Sequence, residues 1–246
     1  YYLRDPRGIG TIQEVAVGFK EARKIWKKII AAAHKTGDPG LIFLDRINDS
    51  PANPTPQLGM VEATNPCGEQ PLMPYEACNL GSINLAKFIV HPSGGLGFKP
   101  VKPDEDYRHY FDMTALGEAV RTAVRFLDDV ITINPYPLPE IHDMVKANRR
   151  IGLGVMGWAD TLMEVGIPYD SPEALRMADY IADFIDHTSH EESAHLAELR
   201  GPFPNFEQSI YSSGKEIRNS TRTTIAPTGS ISIIADCSSG IEPAFA

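Results

Sequence analysis

The sequence predicts an α/β fold, because amphipathic helices alternate along the chain with short apolar runs that are typical of buried strands. Apolar residues at helical spacing predict a helix over residues 12–33, with Gly37 behind it as a stop signal. The same spacing predicts a second helix over 116–131. A third and longer helix is predicted over 172–200, since a proline directly behind Ser171 favours the first helical turn.

Three apolar segments predict the strands. LIFL at 41–44, IGLGV at 151–155 and ISIIA at 231–235 are each short enough for a buried strand and lie between or after the helices. Closely spaced prolines over 51–56 predict an extended loop behind the first segment. The sequence shows no repeat, so we expect one large domain or part of one.

The composition excludes some classes of protein. At 42% hydrophobic and 22% charged residues over 246 positions, the chain is ordinary for a globular protein. A net charge of −9 and a pI near 5.3 leave no extended basic surface for a polynucleotide. No apolar run reaches the ~20 residues that span a bilayer, and the N-terminus lacks the pattern of a signal peptide. We therefore expect a cytoplasmic protein with neither a membrane nor a nucleic-acid polymer as partner.

The three cysteines are Cys67, Cys78 and Cys237. An odd number cannot all pair within the chain, and their spacing lacks the close pairs of a zinc site. In a reducing compartment such residues are either packed in the core or used as working thiols. No metal site is predicted.

The segment NPCGEQ carries a set of reactive side chains. Asn65, Cys67 and Glu69 stand two residues apart, so their side chains project to one side if the segment is extended, which Pro66 favours. Such a set suits radical chemistry on a sugar: the thiol abstracts a hydrogen atom, the carboxylate takes a hydroxyl proton and the amide orients the substrate. The alternative is a Pro/Gly turn with a buried cysteine and a surface glutamate.

Cys78 follows Cys67 by eleven residues, and Pro71 and Pro74 between them help the chain to fold back. Both thiols could then face one site. A reductase needs two electrons, and a dithiol can supply them. On spacing alone, Cys78 as a small core residue is an equally good interpretation.

Small residues at 228–230 follow a proline and leave backbone N–H groups open. A loop of this kind can cradle phosphate without a basic side chain. Its alternative is a plain turn between strands.

The segments together resemble one family. NPCGEQPLMPYEACNLGSINLAKF, residues 65–88, resembles the active-site finger loop of ribonucleotide reductases, nearly residue for residue in the adenosylcobalamin-dependent, class II branch. PTGSIS followed by SSGIEP, within 227–243, resembles the substrate-phosphate loop of that family. The resemblance continues through GDPGLIFLDRIN at 37–48 and NRRIGLGVMGWADTL at 148–162, and so covers most of the chain.

The resemblance implies a fold and a mechanism. The fold is part of the family's ten-stranded α/β barrel, with the Cys67 loop threaded into its centre. A thiyl radical on Cys67 takes the 3′ hydrogen of a ribonucleoside di- or triphosphate, Glu69 accepts the 3′-hydroxyl proton, and water leaves from C2′. Asn65 holds the sugar hydroxyls. Cys78 is one half of the reducing dithiol.

The resemblance also implies ligands and partners. The radical comes from adenosylcobalamin, or, in the class I alternative, from a separate metal-containing subunit. A thioredoxin- or glutaredoxin-like protein re-reduces the dithiol, and the full-length protein could form a homodimer. A catalytically silent nucleotide-binding module is a third reading, although binding alone does not require the catalytic set. The residues implied to hold the substrate phosphates are Pro227, Thr228, Gly229, Ser230, Ile231 and Ser232.

The chain is expected to be a segment of a longer polypeptide, since it opens without a methionine and stops at GIEPAFA. Residues 1–246 would then be one segment of the catalytic barrel domain. The family's upstream effector region, partner cysteine and C-terminal shuttle cysteines lie outside it. We therefore expect the isolated segment to be inactive.

Two other patterns receive structural interpretations. Gly152, Gly154 and Gly157 spell GxGxxG, but no convincing strand precedes them, so we interpret them as close backbone packing and not as a dinucleotide site. Cys237 is interpreted as a buried structural thiol.

The segment HEESAH could suggest a metal site. It is not HExxH, so His190 and His195 fall out of step on a helix, and a solvated helical face is the better interpretation for them and for nearby His187.

Overall fold

The fold divides into two compact units, residues 1–43 and 44–246. It was obtained as a computed structural model, which describes residues 2–3, 15–16, 19–90 and 107–244.

The first unit contains one long helix, α1 (Phe19–Thr36), and a pair of short antiparallel strands, β1 (Tyr2–Leu3) and β2 (Val15–Ala16). The predicted helix over 12–33 is therefore confirmed from Phe19 onward. Its first part is wrong at Val15–Ala16, which form β2, and the remaining positions before Phe19 lie outside the described residues.

The strand predicted at 41–44 is wrong. Residues 41–43 have no regular structure, their side chains are exposed, and Leu44 begins the short helix α2 (Leu44–Asn48). A four-residue apolar run carries no information about whether a partner strand is available. Within the part of the chain that the structure describes, none pairs with this run.

The second unit contains the remaining elements, in which a parallel strand pair alternates with helices. In addition to these, single 3₁₀ turns occur at Leu85–Phe88, Tyr107–Tyr110 and Phe206–Gln208. In chain order the elements after α2 are β3 (Ala63–Thr64), β4 (Pro71–Leu72), β5 (Asn79–Asn84), α3 (Met113–Ile133), α4 (Pro139–Asn148), β6 (Ile151–Met156), α5 (Trp158–Val165), α6 (Pro172–Arg200) and α7 (Gly229–Ala235).

The sheet at the centre of this unit is parallel. β5 and β6 pair in register from Asn79 opposite Ile151 to Asn84 opposite Met156. On the other side of β6 the segment 221–224 runs parallel to it: the Leu153 N–H donates to the Arg222 carbonyl at 2.7 Å, and the Thr224 N–H donates to the Leu153 carbonyl at 3.0 Å. All six residues of β6 are buried, so the strand predicted at 151–155 is confirmed.

The predicted helices over 116–131 and 172–200 are confirmed as α3 and α6. α3 begins behind Asp112, whose carboxylate accepts a hydrogen bond from the Ala115 N–H at 2.9 Å. α6 begins behind Ser171, whose hydroxyl accepts one from the Ala174 N–H at 3.2 Å. Both helices pack against each other, and α3 also packs on β5 and β6. Their buried apolar stripes and the strands form the main core.

Besides the short helices α2 and α7, two helices were not predicted, α4 and α5. α4 has a proline in its first turn and ends at Arg149, which adopts a left-handed conformation. α5 lies between Gly157 and Gly166, both with positive φ. Each is at most ten residues long and occupies sequence in which other patterns were more conspicuous.

The interpretation of the GxGxxG pattern as close backbone packing is confirmed. A Cβ atom added to Gly152 would lie 2.6 Å from the Gln70 amide nitrogen, and one added to Gly154 would lie 2.5 Å from the Thr224 carbonyl oxygen. Gly157 has a φ of +75°, and a Cβ atom added to it would lie 2.5 Å from the Asn84 side-chain oxygen. The glycines let the neighbouring strand and loop approach β6.

We expect Gly154→Ala to lower the free energy of unfolding by about 3 kcal/mol, the upper range for overpacking, because the added methyl meets a backbone carbonyl that cannot rotate away. Urea denaturation measures the loss. The matched control is Gly81→Ala in β5, where the nearest neighbour would be 3.6 Å away, an ordinary contact. Equal effects of the two substitutions would contradict this packing.

The residues of HEESAH lie on α6. His187 and His195 are exposed, as the interpretation of a solvated face predicts, and His190 is half-buried. Glu192 departs from it: the side chain is buried and lies 3.3 Å from the Arg125 guanidinium of α3. Among the described residues, no three or more histidine, cysteine, aspartate or glutamate side chains are placed to hold a metal ion. Nor is any helix of the described ranges long and apolar enough to cross a membrane.

Candidate active site

The Asn65–Glu69 segment forms the turn of a small hairpin. β3 and β4 pair antiparallel, with Thr64 opposite Pro71. Inside the turn, the Gly68 N–H donates to the Asn65 carbonyl at 3.0 Å, and the Asn65 N–H donates to the Gln70 carbonyl at 3.1 Å. The expectation of an extended segment is therefore wrong. Gly68, with a φ of +90°, permits the tight turn that reverses the chain.

The three candidate side chains share this turn but differ in burial. Cys67 is exposed. Asn65 is half-buried, and its Oδ1 accepts a hydrogen bond from the Gln70 N–H at 2.9 Å. Glu69 is half-buried, and its Oε2 is buried without a hydrogen-bond partner among the described residues. The alternative of a buried cysteine beside a surface glutamate is thus the reverse of what is found.

The turn is fixed to the parallel sheet at two points. The Thr224 hydroxyl donates to the Glu69 carbonyl at 3.1 Å. The Gln70 side chain is buried and lies against the backbone of Gly152 in β6. The thiol of Cys67 is therefore displayed at the end of a turn whose base is held by the core.

Cys78 lies directly before β5 and is half-buried. Burial raises the pKa of its thiol to about 12, while Arg150 acts in the opposite direction and the carboxylates of Glu76 and Glu69 add to the rise. The thiol is protonated at neutral pH as a result.

A buried ion pair that the sequence analysis missed lies beside Cys78. The Arg150 Nε is 3.1 Å from the Glu76 Oε1, and both residues are buried. Glu76 also accepts hydrogen bonds from the Asn148 side chain at 2.7 Å and from the Met73 N–H at 3.0 Å. The arginine pair in front of the apolar run IGLGV was the available signal.

The segment predicted to hold phosphate is the start of α7. Thr228 adopts a left-handed conformation with a φ of +57°, and its hydroxyl accepts a hydrogen bond from the Gly240 N–H at 2.6 Å. Gly229 begins the helix, and a Cβ atom added there would meet nothing within 4 Å. The exposed first turn, Gly229 to Ile231, directs N–H groups away from the helix.

Two expectations about this segment need revision. The strand predicted at 231–235 is wrong, because these residues belong to α7, where Ile233 and Ile234 are 80% and 84% exposed. The strand position beside β6 is already taken by 221–224. The second expectation is that Ser232 helps to hold the substrate phosphates. Its hydroxyl is buried and lies 2.8 Å from the Ser239 hydroxyl, so it stabilises the loop from within.

Cys237 lies beside this loop. Its N–H donates to the Ser232 carbonyl at 3.0 Å, and its Cβ lies close to Gly157. The residue is half-buried, and burial, followed by Asp160 and Asp236, raises the pKa of its thiol. These contacts agree with a packing role.

A cavity of about 510 Å³ lies between α6, α5 and the segment 223–225. Its walls are mainly apolar. It is lined by none of the residues predicted to be catalytic or to hold phosphate, but Thr224, which donates to the Glu69 carbonyl, lies in its wall.

Comparison with known proteins identifies the class to which this arrangement belongs. The model of the ribonucleotide reductase barrel domain matches residues 11–217 and 215–246. The chain therefore belongs to the ribonucleotide reductase barrel-domain family.

Individual relatives agree. The chain is 52% identical over 227 residues to the vitamin B12-dependent ribonucleoside-diphosphate reductase of Thermoplasma acidophilum, and 49% identical over 225 residues to the protein of that name from Mycobacterium tuberculosis H37Rv. Each match covers 92% of this chain but only 27% and 29% of the respective relative. Among solved structures, the class Id ribonucleotide reductase alpha subunit of Actinobacillus ureae superposes with a TM-score of 0.71 at 27% identity, over 92% of this chain and 40% of that one.

Proposed function

We propose that the full-length protein to which this chain belongs is a ribonucleotide reductase, and that Cys67 carries its thiyl radical. The observation that carries the proposal is the combination of an exposed Cys67 and a half-buried Glu69 in one turn, anchored to a parallel sheet of the matching family. The chain spans under a third of the curated relatives it matches, so the complete activity needs parts beyond these residues.

Each residue of the turn has a role in the proposed reaction. The Cys67 thiyl removes the 3′ hydrogen atom of the ribose. Glu69 takes the 3′-hydroxyl proton, and its buried Oε2, which has no hydrogen-bond partner within the described ranges, is an acceptor available for that hydroxyl. Asn65 orients the sugar through its amide, while its Oδ1 also holds the turn closed.

Cys78 supplies reducing equivalents together with a second cysteine from the rest of the protein. Because its thiol stays protonated at neutral pH, it holds the hydrogen that reduction of the substrate consumes. A thioredoxin- or glutaredoxin-like dithiol protein then restores it. The three cysteines are all free in the structure, which fits a reducing compartment, and we place the protein in the cytoplasm.

Adenosylcobalamin is the proposed source of the radical, because the curated relatives at about half identity are named vitamin B12-dependent. When bound, adenosylcobalamin would supply the radical that starts the reaction, and the residues described here would contribute the thiol of Cys67 that receives it.

The test is a reduction assay of the full-length protein with a ribonucleoside diphosphate or triphosphate and dithiothreitol, with and without adenosylcobalamin. We expect deoxyribonucleotide only when the cofactor is present, and without a second subunit. Product that requires a separate metal-containing subunit would replace this proposal by the class I alternative. Tight nucleotide binding without product under both conditions would favour the silent module.

The substrate phosphates are proposed to bind the backbone N–H groups of Gly229, Ser230 and Ile231. We expect Gly229→Val to weaken nucleotide affinity about tenfold, because the branched side chain covers these groups at a position that is otherwise open. Isothermal titration with the substrate nucleotide measures the change. The matched control is Gly40→Val, another open position, which should leave affinity unchanged. Unaltered affinity in the Gly229 variant would remove the phosphates from this loop.

A further inference from the structure

Cys78 and Arg150 are neighbours across the sheet. The two parallel strands pair from Asn79 opposite Ile151, and Cys78 and Arg150 are the residues directly before that pair. Residues at equivalent positions of adjacent parallel strands lie side by side, about 5 Å apart. The side chains of Cys78 and Arg150 therefore leave the backbone at the same end of the two strands.

Arg150 is buried, and its contacts do not satisfy all of its N–H groups. Only 1% of it is exposed. Its Nη1 donates to the Ala52 carbonyl at 3.3 Å, and Glu76 faces its Nε, but within the described part of the chain neither Nε nor Nη2 has a hydrogen-bond partner of good geometry. A buried N–H without a partner is costly, and arginine carries five of them. Each unsatisfied buried donor needs an explanation, and a neighbouring thiolate is a group that a guanidinium stabilises.

The charged groups around Cys78 show which group Arg150 stabilises. Glu76 is engaged by Asn148 and Met73 as well as by Arg150, whereas the buried Glu69 Oε2 has no hydrogen bond among the described residues. Burial, and after it the carboxylates of Glu76 and Glu69, disfavour a negative charge on the sulfur of Cys78. Arg150 is the cation that opposes them.

We propose that Arg150 is a positioning residue for Cys78, whose guanidinium stabilises the thiolate that Cys78 becomes when its disulfide is reduced. The inference rests on the proposed function. In the step concerned, the thiolate of an external dithiol attacks the partner sulfur of the disulfide. A new S–S bond forms there, the old one breaks, and Cys78 leaves with the electron pair. It then takes a proton from solvent, while the second thiol of the reductant closes its own disulfide and releases the partner cysteine as a thiolate.

The step that Arg150 assists is the departure of Cys78 as a thiolate. A thiolate with a high proton affinity is a poor leaving group in disulfide exchange. Burial keeps the hydrogen on Cys78 for reduction of the substrate, but the same burial slows its release in the next step. A fixed cation at the sheet edge lowers the second barrier without exposing the thiol to water.

The test measures the reactivity of Cys78 directly, without turnover. Full-length wild type, Arg150→Met, Arg150→Lys and Glu76→Gln are alkylated with iodoacetamide between pH 7 and 10. The labelled peptides are quantified by mass spectrometry, and the rate at Cys78 is expressed relative to the rate at Cys237 in the same sample. A substitution that acts on Cys78 alone changes this ratio, whereas global unfolding raises the labelling of both thiols.

We expect the Cys78 ratio to fall about threefold in Arg150→Met for each unit by which the pKa rises, since the smaller thiolate fraction is partly offset by greater nucleophilicity. Arg150→Lys should restore most of the ratio, and Glu76→Gln should raise it. Equal ratios in the Met and Lys variants, or no rise in Glu76→Gln, would overturn the proposal. Should the Met variant not fold, the direction of the Glu76→Gln change decides alone.

A second measurement separates this inference from the proposed function. In an active enzyme, Arg150→Met should lower kcat most when the dithiol is limiting and leave nucleotide affinity unchanged. An alkylation profile that responds as expected in a protein without any reductase activity would retain the electrostatic role of Arg150 and overturn ribonucleotide reduction instead.

Discussion

Replacing Cys67 by serine in the full-length protein is expected to abolish ribonucleotide reduction while folding and nucleotide binding stay intact. The thiol is exposed at the turn, so the nearly isosteric hydroxyl disturbs no packing. A serine hydroxyl cannot form a comparable radical, and the first hydrogen abstraction is lost. Product formation is followed by chromatography, and nucleotide affinity by titration.

The matched control for this variant is Cys237→Ser. Cys237 is half-buried and packs beside Gly157, where a serine can be accommodated. We expect this variant to retain most of the wild-type activity. Substantial turnover by Cys67→Ser, or equal losses in both variants, would move the radical to another residue.

Asp128→Asn is expected to lower the free energy of unfolding by about 3 to 5 kcal/mol, the range for removing one partner of a buried ion pair. Asp128 is fully buried on α3. Three guanidinium groups surround its carboxylate: the Arg149 Nε at 2.8 Å, the Arg200 Nη1 at 3.2 Å and the Arg218 Nε at 3.5 Å. The carboxylate also accepts a hydrogen bond from the Asn219 side chain at 3.1 Å. The amide would leave three guanidinium groups without their shared counter-charge.

The neighbouring Asp129 provides the control. It contacts only Arg200 of this group, and nearly half of its side chain is exposed. Exposed ion pairs contribute little, so Asp129→Asn should cost less than about 1 kcal/mol. Chemical denaturation of both variants gives the comparison. A loss in Asp128→Asn no larger than that in Asp129→Asn would show that the three arginines do not depend on this carboxylate.

Local sequence signals predicted the long elements well. α3 and α6 each carry a complete apolar stripe and a side-chain cap at the first turn, and those signals act within a few residues of one another. β6 was found because an apolar run that is buried on both faces is what a central parallel strand requires. α1 was found in its helical part, although its start was placed too early.

Short apolar runs misled the prediction. Residues 41–43 and 231–235 have strand-like composition, but one has no regular structure and the other forms α7. A strand needs a free neighbour to pair with, and the position beside β6 is occupied by 221–224. Nothing within either run records that competition.

Some features of the candidate site were predicted from the sequence, and others were not. The sequence showed the residue types and the order of Asn65, Cys67 and Glu69. It also showed the resemblance to the family, which the barrel-domain match confirms. Their roles stay predictions. The tight turn, which depends on Gly68, was not foreseen, and neither was the Glu76–Arg150 pair, whose members are 74 positions apart and adjoin only because β5 and β6 pair in register.

By itself, the sequence determined the helix stripes and caps, the central strand, the close packing at the glycines and the chemical inventory of the site, because each depends on residues that are neighbours along the chain. Only the tertiary structure decided which thiol is exposed, which carboxylate oxygen lacks a partner among the described residues and which cation stands beside Cys78. Burial and electrostatic interaction depend on what the fold brings into contact, and those contacts join residues that are distant in sequence.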